Sequence, residues 1–583
     1  MDAARAENNG SLRDLLAAAL PQGAKFTYYH ISTPPTKSSP IFSAPPGARP
    51  ERTYCESHFL NVSITPQDGA PQSEHDNAAG EVFIFAIEVL IYTTSHLTTI
   101  FVSKADSTGY LSLLKLPRTS SSPIRAISTT FISWLVKHRQ RPATRLIVSL
   151  FARAQDQYLF PGSIENASKH VADDTALVKW WCRVLDPVLR EYTPETASKA
   201  ETDEQSQQTT AQGHLIIPGF ERNDTFRFFP PSVRADPPDQ KRWRHGHPLL
   251  DISRHPSAPP RCLIPHFPDD PKARYMDELD DELPDGGVAT VTSPSRGTGQ
   301  WRSVRSLAQF WEMMAFRQEC SSGRLVGFIW VLFTPADTTT TSLAEMLAQP
   351  PTKTRATTSP KRPSSNPTQR RPRRRSSKLT GPILPRLPRI KSNSSTAPGP
   401  DVSASSLGRL PPEESKHYLW PLASRGTFVI NDKDYRRATE LLLHSNFAAH
   451  DIAAVSTRKW VDEVAVLSGC VRGKRWGVEV VGRRKTEDGE SAALNGGGAV
   501  QEGVGQVNTL DVRKRKGGDG VAAAAQQQQG TEGNAAVNVL SAGLVRKKPK
   551  TETAAAAPAV EAQSADAGVN VLAGNLVRKK PKA

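Results

Sequence analysis

Asp269 and Asp270 stand side by side between Pro268 and Pro271, directly ahead of Lys272. Acyl transfer to a lysine amine needs such a group. The amine titrates near ~10.4 in water, so a carboxylate must take the ammonium proton, and a rigid backbone must aim that carboxylate. The same residues also spell an ordinary helix start, with Asp270 as N-cap and Pro271 at the first helical position. The two readings are compatible, because a capping turn also fixes a carboxylate in space.

Two other stretches bear chemistry. Lys104-Ala105-Asp106-Ser107-Thr108-Gly109-Tyr110 leads to Lys115-Leu116-Pro117-Arg118. It reads as a polar turn at a strand end, where small residues followed by cations suit a phosphorylated cofactor. It has neither a P-loop nor a GxGxxG pattern, and by itself it reads as an exposed loop with solvated charges. The second stretch runs from Phe151 through Arg153, Gln155 and Tyr158 to Pro161, followed by Lys169-His170 and Lys179-Trp180-Trp181. Adjacent helical residues are about 100° apart, so one tryptophan can pack in a core while its neighbour lines a groove. His245, His247 and His255 lack the partner spacing of a metal site, and no metal is expected. The five cysteines (Cys55, Cys182, Cys262, Cys320, Cys470) are far apart. That spacing excludes a zinc ribbon and a disulfide framework and fits reduced thiols in the cytosol or nucleus.

The elements that must hold these residues alternate. A short helix over 11–20 is capped by Ser11 and ended by Pro21. Strands are expected at Tyr54 to Ile64, Val82 to Tyr92, His96 to Ser103, Arg145 to Ala152 and Gly327 to Phe333. Val82 to Tyr92 is apolar on both faces, as a central strand is. Helices are expected at Ser122 to His138, at Ala176 to Leu185 (capped by Asp173 or Asp174 and limited by Pro187), at Pro271 to Leu283 and at Ser303 to Arg317. Strands alternating with helices give an α/β class, a central mixed β-sheet flanked by helices.

Composition confines that core. Of 583 residues 37% are hydrophobic, and the apolar runs end near Phe333, apart from an island between His417 and Trp476. The reading is therefore a core over 1–335 with mobile loops at 194–213 and 284–300, and a C-terminal part of the core at 415–479. A disordered Arg/Pro/Ser-rich insert is expected over 336–414, and a disordered basic tail over 480–583. Net charge is +16, and Arg370 to Arg375 form a basic run suited to nuclear import or a polyanion. The tail holds a near-duplicate, Val537 to Lys550 and Val569 to Lys582, each closing on Val-Arg-Lys-Lys-Pro-Lys. Repeats of this kind read as linear motifs. The N-terminal Leu15 to Leu20 is too short to span a membrane.

Taken together, Lys104 to Tyr110, Tyr158-Leu159-Phe160-Pro161, Lys169-His170, Lys179-Trp180-Trp181 and Phe267 to Arg274 resemble the fungal histone H3 lysine-56 acetyltransferases. The likeness spans about residues 10–335 and resumes at Tyr418-Leu419-Trp420-Pro421, Asp434-Tyr435 and Ser456 to Trp460. It implies a CREB-binding-protein-like acetyltransferase fold and acetyl-CoA as co-substrate. The acetyl-CoA contacts would fall on Ala105, Asp106, Ser107, Leu116, Pro117, Arg118, Phe151, Arg153, Gln155, His170, Val171, Ala172 and Thr175. By the same resemblance Asp270 is the proton donor/acceptor with Asp269 beside it, Trp181 and Tyr158 shape a lysine tunnel, and Lys272 is a self-acetylated lysine. It further implies a nuclear enzyme of chromatin assembly, replication and the DNA damage response, acting on histone H3–H4. Two histone chaperones would serve it, one of the nucleosome-assembly and one of the anti-silencing type. The alternative is a non-catalytic basic scaffold for chromatin or a histone chaperone, with weak DNA contact through the tail. Direct transfer is expected rather than an acyl-enzyme, since Cys262 alone lies near these motifs.

Overall fold

The apolar stretch Val82–Thr93 is buried along its length, only Leu90 being partly exposed, and it forms a central strand. The computed structural model describes residues 10–66, 80–117, 122–195, 208–283, 299–318, 320, 323–336 and 410–485. These all belong to the first of the chain's two units, Met1–Gly496; the second, Gly497–Ala583, lies outside the described residues together with the tail repeats.

In chain order the strands are β1 (Lys25–Ser32), β2 (Thr36–Ser38), β3 (Thr53–Ile64), β4 (Val82–Thr93), β5 (Leu97–Ser107), β6 (Arg145–Ala152), β7 (Thr193–Pro194), β8 (Thr210–Ile216), β9 (Trp243–His245), β10 (Gly327–Thr334), β11 (Phe428–Val429) and β12 (Val478–Val481). Among the described residues they make one mixed sheet in the order β11-β1-β3-β4-β5-β6-β10-β8-β7, with β12 on β1, β2 on β3 and β9 on β8. The main helices are α1 (Leu12–Ala19), α2 (Pro123–Arg139), α3 (Asp174–Arg190), α4 (Pro271–Asp280), α5 (Leu307–Met314), α6 (Asp432–Leu443) and α7 (His450–Leu467).

Side-chain alternation along a strand divides the core in two. On β10, Ile329, Val331 and Phe333 join a core with α2, α3, α6 and α7, while Phe328, Trp330 and Leu332 join a second core with α4 and α5. Helices therefore cover both faces, as the α/β pattern requires. Gly327 opens β10 because a Cβ there would lie 2.6 Å from Val178 of α3.

Several expectations are corrected. Lys104 to Ser107 is not a turn but the end of β5, pairing with β4. The expected loop 194–213 gives way at Thr210 to β8, a strand between β10 and β7. Within it Gly213 is required, since a Cβ would meet the Trp243 ring at 2.8 Å. Helix α3 runs past Pro187 to Arg190: the proline removes one N–H near the last turn, while fully buried Leu185, Val188 and Leu189 hold the backbone helical. α4 and α5 are shorter than expected.

The flanks of the last segment also shift. Glu413 accepts from Trp420 N (2.6 Å), and Val480 and Val481 pair with Phe26 and Lys25, so 410–414 and 480–485 are placed with the core. Most of the expected insert and tail, the Arg370 to Arg375 run, and 284–298 lie outside the described residues.

Candidate active site

Strands β5 and β6 run parallel, but their ladder ends at Phe101↔Ser149. Beyond it β5 continues to Ser107 on β4 and β6 continues to Ala152 on β10, so the two strand ends emerge on the same side of the sheet with a gap between them. The chemistry-bearing residues gather around that gap.

Asp106 spans it. Its Oδ2 accepts from the backbone N–H of Tyr158 (2.7 Å), Leu159 (2.9 Å) and Phe160 (3.2 Å), and its Oδ1 accepts from Ser107 N (2.8 Å) and Lys169 Nζ (3.0 Å). The carboxylate expected at acetyl-CoA is thus spent inside the protein, where it holds the Tyr158 turn and Lys169 against the end of β5. Gly109, at φ +91°, lets this turn approach closely, since a Cβ would lie 2.6 Å from Lys169 N. Ala154 N donates to Asp174 Oδ1 (2.8 Å), and Arg324 Nε and Leu325 N donate to Asp174 Oδ2 (both 3.0 Å). Burial works to raise the Asp174 pKa, but these bonds hold it below the ordinary carboxylate value. They join Phe151, Arg153 and Gln155 to the stretch His170, Val171, Ala172 and Thr175 at the start of α3, whose N-cap Asp173 accepts from Ala176 N (2.6 Å). Leu116 and Pro117 follow the 3-10 turn Tyr110–Leu114, and Arg118 lies outside the described residues.

The Asp-Asp-Pro-Lys turn docks over the same end. Phe267 stacks on Phe101 of β5 with ring centroids 4.1 Å apart. Asp270 caps α4, accepting from Lys272 N (3.0 Å), and Pro271 takes the first helical position, as the sequence predicts. Lys272 folds back onto the Asp270 carboxylate, and both side chains are 2% exposed. The Lys272 ammonium lies 4.9 Å from the Phe267 ring centroid and 5.6 Å from that of Phe328. Burial raises the Asp270 pKa and lowers that of Lys272, each partner opposing the shift in the other.

Asp269 faces the other way. It adopts a left-handed conformation (φ +58°) uncommon for a residue with a side chain, and its carboxylate is 67% exposed. Lys104 Nζ meets it at 2.9 Å and also lies 3.4 Å from Glu88 Oε2; Glu88 Oε1 in turn accepts from the Tyr435 hydroxyl (3.1 Å). Burial works against the Lys104 charge, but Glu88 and Asp269 hold its pKa above the ordinary lysine value. Asp269, Asp270, Arg153, Arg274 and Arg324 line a cleft of about 690 Å³.

Of the residues expected to do chemistry, the structure thus brings Asp269, Asp270 and Arg153 into one cleft. Tyr158 stands close to them. Its hydroxyl donates to Arg153 O (3.5 Å), and its pKa is raised by burial, which the charges of Arg153 and Lys104 oppose. Trp181 does not line the cleft. It is 5% exposed in the first core, its ring edge-on to the partly exposed Trp180 at 4.8 Å. Cys262 is buried, donates to Ala44 O (3.4 Å) and has its thiol pKa raised by that burial. Glu88, Arg324 and the role of Tyr435 escaped the sequence reading. Glu88 did carry a signal, as the lone charge in the apolar run of β4. Among the described residues no three His, Cys, Asp or Glu side chains are grouped to hold a metal ion.

Comparison with known proteins identifies the family. The histone acetyltransferase KAT11-type domain matches residues 12–146 and 142–463. The histone acetyltransferase rtt109 of Aspergillus flavus is 41% identical over 92% of this chain and 99% of its own length. Its namesake from Schizosaccharomyces pombe is 29% identical over 54% and 69%, respectively. The crystal structure of Rtt109 from Aspergillus fumigatus superposes with a TM-score of 0.62 at 42% identity, covering 82% of this chain and all (100%) of that one. With the domain match running through both the sheet and the C-terminal helices, this chain belongs to the KAT11-type family of histone acetyltransferases.

Proposed function

We propose that the enzyme transfers acetyl from acetyl-CoA to lysines of histone H3, lysine 56 of newly made H3 foremost, in the nucleus during chromatin assembly. Acetyl-CoA would lie along the gap between β5 and β6, against Ala105, Ser107, Phe151, Gln155 and the residues entering α3, with its thioester toward the cleft. One observation carries the chemistry: the exposed Asp269 carboxylate is fixed 2.9 Å from Lys104 at the mouth of a cleft that otherwise presents Arg153 and Arg324. An incoming lysine ammonium gives its proton to Asp269, directly or through water. The freed amine attacks the thioester carbonyl, and the tetrahedral intermediate collapses to the amide and the CoA thiolate, which is reprotonated.

Asp270 was expected to take the proton. Its burial against Lys272 favours a different division of labour, in which Asp270 and Lys272 form the rigid base of the turn and Asp269 handles the proton. Tyr158 would border the entering lysine, and Trp181 would support that wall from the core. Lys272, at 2% exposure, would be acetylated only after its pair with Asp270 opens. The segments 336–409 and beyond 485 would serve import and chaperone docking, with nucleosome-assembly-type and anti-silencing-type chaperones presenting H3–H4. The scaffold alternative is disfavoured by kinship with named acetyltransferases over nearly the whole chain.

Incubation with acetyl-CoA and H3–H4, with and without each chaperone, followed by mass spectrometry of H3, tests the reading. Wild type should modify lysine 56. Asp269→Asn should lower kcat at unchanged fold, with a loss that shrinks as pH rises and solvent hydroxide substitutes. Full activity of that variant would exclude Asp269 as the proton acceptor.

A further inference from the structure

A second cleft among the described residues, of about 1530 Å³, lies away from the Asp269 turn, between α3, β9 and the short helical turns Arg222–Thr225 and Pro231–Ala235. Seven lysine and arginine side chains line it against two carboxylates, Glu195 and Asp239. Glu221 and Asp224, on the neighbouring turn, do not line it. Arg222, Arg227 and Arg234 are exposed, and among the described residues none of them forms an ion pair. Phe229, Trp243 and three prolines also line it, with Phe226 44% exposed.

We propose that this cleft binds an acidic peptide segment of a partner protein, rich in Asp and Glu with an interspersed apolar residue. Charge decides first. Histones, the substrates of the family, are rich in lysine and arginine, and a wall of seven cations against two carboxylates, one of them paired with Arg244, repels them. The cleft therefore faces something of opposite sign. Nucleic acid is the other polyanion, and the aromatic geometry argues against it. Binding of a single strand rests on open ring faces for base stacking. Of the rings that line the cleft, Phe229 and Trp243 are buried at 8% and 1% exposure, and Arg222 lies over Phe226 (5.8 Å). A guanidinium laid flat on a ring keeps its N–H edge free, and that edge fits a carboxylate. The apolar floor then takes a side chain between the acids. Such a site lets a carrier of basic histones anchor its own acidic segment on the enzyme while the substrate reaches the Asp269 cleft.

The full-length protein is titrated by fluorescence anisotropy with a labelled Asp/Glu-rich peptide bearing one Phe and one benzophenone cross-linker. A charge-matched oligo(dT) is titrated in parallel. Arg222→Glu/Arg234→Glu should weaken peptide binding on the order of tenfold or more. Arg222→Lys/Arg234→Lys should retain most of the affinity, and the cross-link should map to the Phe226 turn. Acetylation of H3–H4 without any partner should be unchanged in both variants, which also reports folding. If the reversal variant misfolds, single Arg222→Gln and Arg234→Gln variants at these exposed sites carry the same comparison. The proposal is overturned if reversing Arg373 to Arg375 abolishes peptide binding while the cleft variants do not. Equal or tighter oligo(dT) binding with the same dependence on Arg222 and Arg234 would overturn it too.

Discussion

Lys104 Nζ lies 2.9 Å from Asp269 Oδ2, which ties the end of β5 to the loop before α4. The tie is extended by Glu88 on β4 and Tyr435 on α6, so a helix that follows the long insert in sequence reaches the carboxylate proposed to take the proton through three side chains. Glu88→Gln should loosen Lys104 and with it the aim of Asp269. The expected outcome is a fall in kcat of about tenfold, with KM for acetyl-CoA little changed, because the loss concerns orientation rather than cofactor binding. Tyr435→Phe should act in the same direction and more weakly. Steady-state kinetics decide it: a shift confined to KM, or none, would refute the positioning role.

Asp106 should behave as a structural anchor. Asp106→Ala strands four backbone N–H groups and the buried Lys169 ammonium, at a cost of about 3–5 kcal/mol. Asp106→Asn keeps one acceptor oxygen and should lose less. Urea unfolding of the two variants beside wild type measures the difference; equal midpoints would show that the carboxylate is dispensable to the fold.

The Asp270–Lys272 pair predicts a pH signature. Lys272→Met leaves a buried carboxylate unpaired, costing about 3–5 kcal/mol near neutrality. Without the ammonium the Asp270 pKa, already raised by burial, rises further. A folded-state pKa above the unfolded one gives stability that is present below the unfolded value and lost as pH rises through the folded value. The variant should therefore regain part of its deficit on acidification. Thermal melts between pH 8 and pH 5 should show the gap to wild type narrowing, and a constant gap would contradict the assignment.

A second buried cluster should contribute to the loss of stability in acid. His30 Nε2 and His58 Nδ1 are 3.0 Å apart, and Glu56 beside them pairs with Arg139 (2.5 Å). Burial pushes both histidines below their ordinary value, so the stability they contribute is present above about pH 6.5 and is lost as pH falls through their folded pKa values. His30→Gln should flatten the decline in stability below pH 6. Stability profiles of variant and wild type that stay parallel would exclude this origin.

Much of the scaffold was legible because its signals are local. Ser11 and Asp270 cap the helices they precede, and the apolar runs of β4 and β10 read as strands without knowledge of their neighbours. What was missed depends on distant partners. Lys104 and Asp106 look like turn residues until Asp269, Lys169 and the 158–160 backbone are brought to them. β1 carries His30 and Ser32, which suit a buried strand only because His58 and the amide of Gly426 stand opposite them. The same holds for the division between the two carboxylates. Spacing marks Asp269 and Asp270 as a pair, but only the three-dimensional position of Lys272 shows that one is sealed and the other open.

The pairing of β1 with β12 bears on how the chain is made. Lys25–Tyr28 take partners at Val478–Val481, so roughly 450 residues must leave the ribosome after β1 before that ladder can close. At about 5–20 residues per second, β1 waits on the order of 20–90 s with one edge unpaired. During that interval the nascent chain displays a strand edge open to any other chain. Translation arrested within the segment 336–409 should therefore yield an aggregation-prone product, and holdase chaperones should be found on such chains and not on the finished enzyme.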